Sequence, residues 1–105
     1  MGQLTFTASN GWSAVGGQTC GVYYREQDPC GSSSGSGVAV ALGLAARAVE
    51  VEVDNGEHHL PAMRGNLVSI KTTSGLVPRD NVIVTRFRGP VGPMTRTVQD
   101  AAIML

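Results

Sequence analysis

Hydrophobic and polar positions change their period along this chain, and the changes mark its elements. Residues 9 to 37 show no sustained period and are rich in turn formers: Ser9-Asn10-Gly11, Gly16-Gly17, Asp28-Pro29 and Gly31-Ser32-Ser33-Ser34-Gly35-Ser36-Gly37. Out of context, the last stretch has the composition of a flexible linker. The run that follows, Val38 to Ala48, is small and apolar on every face, which predicts a helix packed on all sides. The Gly/Ser stretch then becomes the loop that opens a buried helix, with Ser34 or Ser36 as its N-cap. Val49-Glu50-Val51-Glu52-Val53 alternates at period two and predicts a strand whose acidic side faces water, stopped by Asp54-Asn55-Gly56. A second strand is expected over Leu67–Thr73 and a short third one over Val82–Val84. Pro78, Pro90 and Pro93 exclude one long helix between them. Thr97-Val98-Gln99-Asp100 has the form of a capping box, with Asp in place of Glu, so a helix starts there. It reaches Leu105 with no C-capping Gly or Pro, which reads as an unfinished element.

Composition narrows the function classes. In 105 residues there are 8 basic and 8 acidic side chains, and only 15% of residues are charged. A balanced, low-charge chain offers no footprint for a phosphate backbone or an anionic lipid surface, so no nucleic acid and no membrane partner is expected. The longest apolar run, Val38 to Ala46, is interrupted by Gly43 and falls short of the ~17–25 residues that cross a bilayer. No basic and apolar leader stands at Met1, so a cytoplasmic location is the default. That location favours reduced thiols at Cys20 and Cys30. His58-His59 beside Asp54 and Glu57 lacks a metal-ligand spacing, so no metal is expected. The Gly/Ser loop lacks the Gly-Lys-Ser/Thr of a phosphate loop. Trp12, Tyr23 and Tyr24 are expected to pack rather than to form a stacking platform, and Cys30 to be a small buried residue.

Five segments in order carry a resemblance: Cys30-Gly-Ser-Ser-Ser-Gly-Ser36, Pro61-Ala62, Ser69-Ile-Lys-Thr-Thr73, Gly75-Leu-Val-Pro-Arg79 and Gly92-Pro-Met-Thr-Arg-Thr-Val-Gln-Asp-Ala-Ala102. They resemble G-G-S-S-G-G-S, P-A, G-L/I-K-P-T, G-x-V-P/S-R and G-P-M-A-R-S/T-V-x-D-A/V-A of the amidase signature family. The last segment agrees at nine or ten of eleven positions. Asn10-Gly-Trp-Ser-Ala-Val-Gly-Gly-Gln18 is also similar to the G-W-S-A-x-G-G-Q of fungal-type, acetamidase-like members.

The resemblance implies an α/β fold around a mixed sheet and hydrolysis of carboxamide C–N bonds in a small-molecule substrate, with no cofactor. It also implies a Ser-cisSer-Lys centre, in which a neutral lysine deprotonates a nucleophilic serine through a bridging serine that follows a cis peptide. Ser32 matches the bridging serine and is the catalytic candidate, with Gly31 and Ser33 supporting the loop. The family places its nucleophile in G-T-x-x-G/D-G-S, four residues before P-A. Counting back from Pro61 puts Glu57 there, and counting forward from Ser32 puts Gly56 there. Neither is a nucleophilic serine. Asn55 and Gly56 remain as a possible oxyanion turn. The catalytic lysine of the family precedes the G-W-S-A segment, where this chain has ten residues and no lysine. Lys71, its single lysine, matches the structural G-L/I-K-P-T segment. The expectation is therefore a partial amidase domain over 1–105, incomplete at both ends and inactive alone. The alternatives are a noncatalytic remnant or interaction module, and a gene product that does not fold. Oligomeric state and substrate identity are not legible in the sequence.

Overall fold

The computed structural model describes residues 9–51, 60–82 and 89–105. In chain order the elements are β1 (Trp12–Ser13), β2 (Gly17–Gln18), α1 (Ser34–Ala41), β3 (Arg47–Val51), α2 (Leu60–Gly65), β4 (Val68–Ser69), β5 (Val91–Thr95) and α3 (Val98–Met104). β1 and β2 make a small antiparallel hairpin, and the second sheet has the order β3-β5-β4, also antiparallel. Helix α1 packs on α2, β3 and β5, while α3 packs on β5 and β4.

Helix α1 is shorter and less enclosed than the apolar run predicts. It begins after Ser33 and ends at Ala41, where Leu42 caps it and Gly43 (φ 75°) turns the chain away. A glycine in the left-handed region is a helix stop signal, and here it overrides the alanines that follow. Ser34, Gly37 and Val40 are the buried positions, one face only, whereas Leu42 and Leu44 are exposed. Small residues on that face let α2 approach: a Cβ on Gly37 would stand 3.1 Å from the Pro61 carbonyl oxygen.

Helix α2 was not signalled by periodicity, because six residues do not complete two turns. Pro61 is tolerated in its first turn, where the backbone N–H has no intrahelical acceptor. Its end is a Schellman pair: Asn66, at φ 53°, donates from its N–H to the Met63 carbonyl (3.2 Å), and Leu67 N–H donates to Ala62 (2.8 Å).

The sheet reverses the expected wet and dry sides of β3. Val49 is half exposed, whereas Glu50 is only 2% exposed. Ala48 and Glu50 pair with Met94 and Gly92, on the side of the fully buried Met94. Gly92 has no side chain, so the Ile70 carbonyl closes against it and the Ser69 hydroxyl on β4 donates a hydrogen bond to the Glu50 carboxylate. Alternation was read correctly as strand; which set faces inward depends on the neighbours.

All five residues of β5 are buried, and Pro93 lies in the middle of this central strand. The Pro93 carbonyl accepts from Ile70 N–H at 3.3 Å, so the groups of residue 93 point toward β4, not β3. Its missing N–H therefore costs the β3 ladder nothing and deprives β4 of a donor. The strand expected over Leu67–Thr73 accordingly shrinks to Val68–Ser69. Past that break the Thr72 side chain takes over, donating to the Val91 carbonyl at 2.9 Å. The expected strand over Val82–Val84 lies mostly outside the described residues.

At α3 Thr97 is the N-cap as expected, with the Asp100 carboxylate meeting its hydroxyl in place of the backbone N–H of a full capping box. Thr97 Oγ1 accepts from Asp100 N–H at 3.0 Å and donates to the Asp100 carboxylate at 2.6 Å. Thr97→Ala is expected to cost about 1 kcal/mol, measured as a lowered denaturant midpoint, with Thr97→Ser close to the parent. Trp12, Tyr23 and Tyr24 do not pack as expected: all three stay about half exposed. Tyr23 is held instead by its hydroxyl, which donates to the Gly65 carbonyl at 3.0 Å.

Candidate functional site

The Gly/Ser loop is built by hydrogen bonds from both sides. Asp28 Oδ1 accepts from Cys30 N–H at 2.8 Å, and the Ser34 hydroxyl donates to the Cys30 carbonyl. Cys30 itself sits at φ 57°, a conformation for which glycine is better suited, and it is 4% exposed. The Gly31–Ser32 peptide bond is cis. Beyond it, Ser33 N-caps α1, its carbonyl accepting from Gly37 N–H at 3.1 Å.

Two serines tie this loop and helix to the outer edge of β3. Ser33 Oγ accepts from Val51 N–H at 3.2 Å, and the Ser36 hydroxyl donates to the Val49 carbonyl at 3.0 Å. Odd-numbered residues of β3 point their backbone groups away from β5, so these bonds cap an edge that would otherwise be open. Ser33 and Ser34 are buried, whereas Gly31 and Ser32 are partly exposed. Of the three consecutive serines, Ser32 is the one that is not buried.

Arg64, at the end of α2, stays cationic. A hydrogen bond with the Cys30 side chain is the main cause that raises its pKa above the ordinary value, electrostatic interaction with Cys30, Tyr24 and Asp28 acts in the same direction, and desolvation opposes it. Both cysteines are free thiols, Cys20 exposed and Cys30 buried. A cleft of about 360 Å³ opens beside Asn10, Gln18 and Asp28, and none of Gly31, Ser32 and Ser33 lines it. Asn55, Gly56, Glu57, His58 and His59 lie outside the described residues. Lys71 is exposed just beyond β4.

The Amidase family model matches residues 3–105. The chain belongs to the amidase family. A protein of Arthroderma benhamiae named as an amidase is 46% identical over 102 residues, covering 96% of this chain and 17% of its own. The peptide amidase of Stenotrophomonas maltophilia superimposes with a TM-score of 0.80 at 45% identity, over 92% of this chain and 20% of that one. A further structure, PAM12A, gives a TM-score of 0.86 at 46% identity, over 93% of this chain and 20% of its own. The chain thus spans about a fifth of the length of the amidases it matches. Within the amidase frame two departures have local explanations. Thr72 stands where the G-L/I-K-P-T segment has proline and supplies the hydroxyl that reaches Val91. Ser69 stands where that segment has glycine and reaches Glu50. Glu50 was not among the candidates from sequence, since alternation placed it in water.

Proposed function

We propose that this chain carries the bridging-serine element of an amide-hydrolysing centre and lacks the groups that would let it turn over by itself. Support for the reading comes first from Ser32: it matches the bridging serine of the motif, is not buried, and stands in a loop whose other serines are engaged. In such a centre a nucleophilic serine attacks the carboxamide carbon while its proton passes through the bridging hydroxyl to a neutral lysine. Backbone N–H groups take the charge on the carbonyl oxygen, and the bridging hydroxyl returns the proton to the leaving amine. Water then repeats the sequence on the acyl-enzyme.

Ser32 could relay a proton, but the attacking position is filled by Glu57 or Gly56. A glycine has no nucleophile. A carboxylate that attacked an amide would form a mixed anhydride and expel a far more basic amine, so the intermediate would revert. With no lysine at 1–10, nothing receives the proton either. The partial domain over 1–105 would take its substrate, a small carboxamide, only with the rest of an amidase fold around it. Its setting is cytoplasmic, in keeping with two free thiols and with no described helix long and apolar enough to cross a membrane.

Ammonia release from benzamide and acetamide tests this. The isolated chain is expected to show none above the buffer rate, with Ser32→Ala indistinguishable from the parent. Turnover that Ser32→Ala abolishes would overturn the proposed inactivity.

A further inference from the structure

We propose that Glu50 is a positioning residue, anchored by Ser69, that sets the geometry of the Gly31–Ser33 loop through the end of β3. Its functional meaning rests on the reading of Ser32 given above, but its physical content does not. Glu50 is a carboxylate at 2% exposure on β3. Burying such a group costs free energy unless hydrogen bonds hold it, so its place here has to be secured by specific contacts. Ser69 provides one from β4, on the far side of the central strand.

The contact spans three strands because Gly92 carries no side chain to hold the β4 end off the central strand. A Cβ there would stand 2.0 Å from the Ile70 carbonyl oxygen, so that oxygen already lies against the Gly92 Cα and brings the Ser69–Ile70 backbone close to β5. Glu50 thereby fixes β3 relative to β4 at one residue before Val51. The N–H of Val51 is the group that Ser33 Oγ holds, and Ser33 adjoins Ser32. A tether therefore runs from Ser69 through Glu50, Val51 and Ser33 to the cis-linked serine. One end of the buried bond departs from the amidase motifs quoted above: Ser69 stands where G-L/I-K-P-T has glycine, and the hydroxyl it brings meets the Glu50 carboxylate.

Amide hydrogen exchange and amide chemical shifts of the ¹⁵N-labelled 105-residue chain test this without reference to turnover. Glu50→Ala is expected to speed exchange at Val51 about tenfold relative to Leu42 and Leu105, whose N–H groups bond within α1 and α3, and to shift the Gly31–Ser33 amides. Ser69→Ala, which removes one hydroxyl, should do the same to a smaller extent and carries the test if Glu50→Ala does not fold. Glu50→Gln keeps an acceptor for Ser69 and should leave Val51 near the parent rate. Equal acceleration at all three amides, or unchanged Val51 and loop signals in the Ala variants, overturns the proposal. So does a Glu50→Gln variant that behaves like Glu50→Ala. Absence of amidase turnover bears on the reading of Ser32 and leaves these outcomes untouched.

Discussion

Replacing the matching fifth of the Stenotrophomonas maltophilia peptide amidase with this chain is expected to abolish its ammonia release, by at least about 10⁴-fold, the scale on which serine hydrolases lose turnover without their nucleophile. The remainder of that enzyme supplies what lies outside the 92% and 20% of mutual coverage. In the chimaera the one missing catalytic group is the attacking serine. Glu57→Ser and Gly56→Ser, made separately, should therefore differ: the variant in the true register should regain turnover by two orders of magnitude or more, and the other should not. Ser32→Ala in the active variant should then remove the regained rate, because the proton of the nucleophile has lost its relay. A chimaera that turns over with Glu57 and Gly56 in place would show that neither position is the nucleophile's. A folded chimaera that neither serine activates would refute the alignment of residues 51–57 with the nucleophile segment.

Gly92→Ala should be the most damaging single-methyl change in the described sheet. Its Cβ would fall 2.0 Å from a backbone oxygen, that of Ile70, and backbone cannot rotate aside as a side chain can. Relief requires β4 to leave β5, which breaks the Ile70–Pro93 bond and the Glu50–Ser69 contact together. Overpacking alone typically costs ~1–3 kcal/mol, and the loss of these bonds adds to it, so at least about 3 kcal/mol is expected. Gly35→Ala is the matched control. Nothing lies within 4 Å of a Cβ there, and the position is an exposed turn of α1. Alanine should stabilise it by about 0.5–1 kcal/mol through helix propensity. Equal denaturant midpoints for the two variants would refute the close approach at Gly92.

The elements differ in how far local pattern reached. Thr97 and Asp100 announce α3 because its N-cap is closed by residues three apart, with no help from the rest of the molecule. The turn-rich stretch before α1 likewise announced a helix start, one to three residues later than it occurs. The stop at Gly43 was missed because an apolar run was weighed above a single glycine. Strand β5 went unseen because Pro93 within it and Pro90 just before it argue against regular structure. In the sheet, residue 93 points its backbone toward an edge strand that simply ends. No local signal carries that information.

The site divides in the same way. Gly31, Ser32 and Ser33 were named from motif resemblance, and the structure adds which groups hold their loop in place. Asn55, Gly56 and Glu57 lie outside the described residues, and their roles rest on the motif alone. The inward side of β3 was misread, because alternation at period two states that two faces differ and leaves open which one is covered.

By itself, the sequence determined the α/β class, the amidase family, the loop that carries Ser32 and the absence of a serine at positions 56 and 57. These depend on residue identity and order. Only the tertiary structure decided that Glu50 is buried, that β4 is two residues long, and that Ser33 and Ser36 close the free edge of β3. Each of these is settled by what stands beside a residue in space. At Glu50 the neighbours are a glycine on the central strand, which lets β4 come close, and a hydroxyl on β4, and together they hold an acidic position in the core.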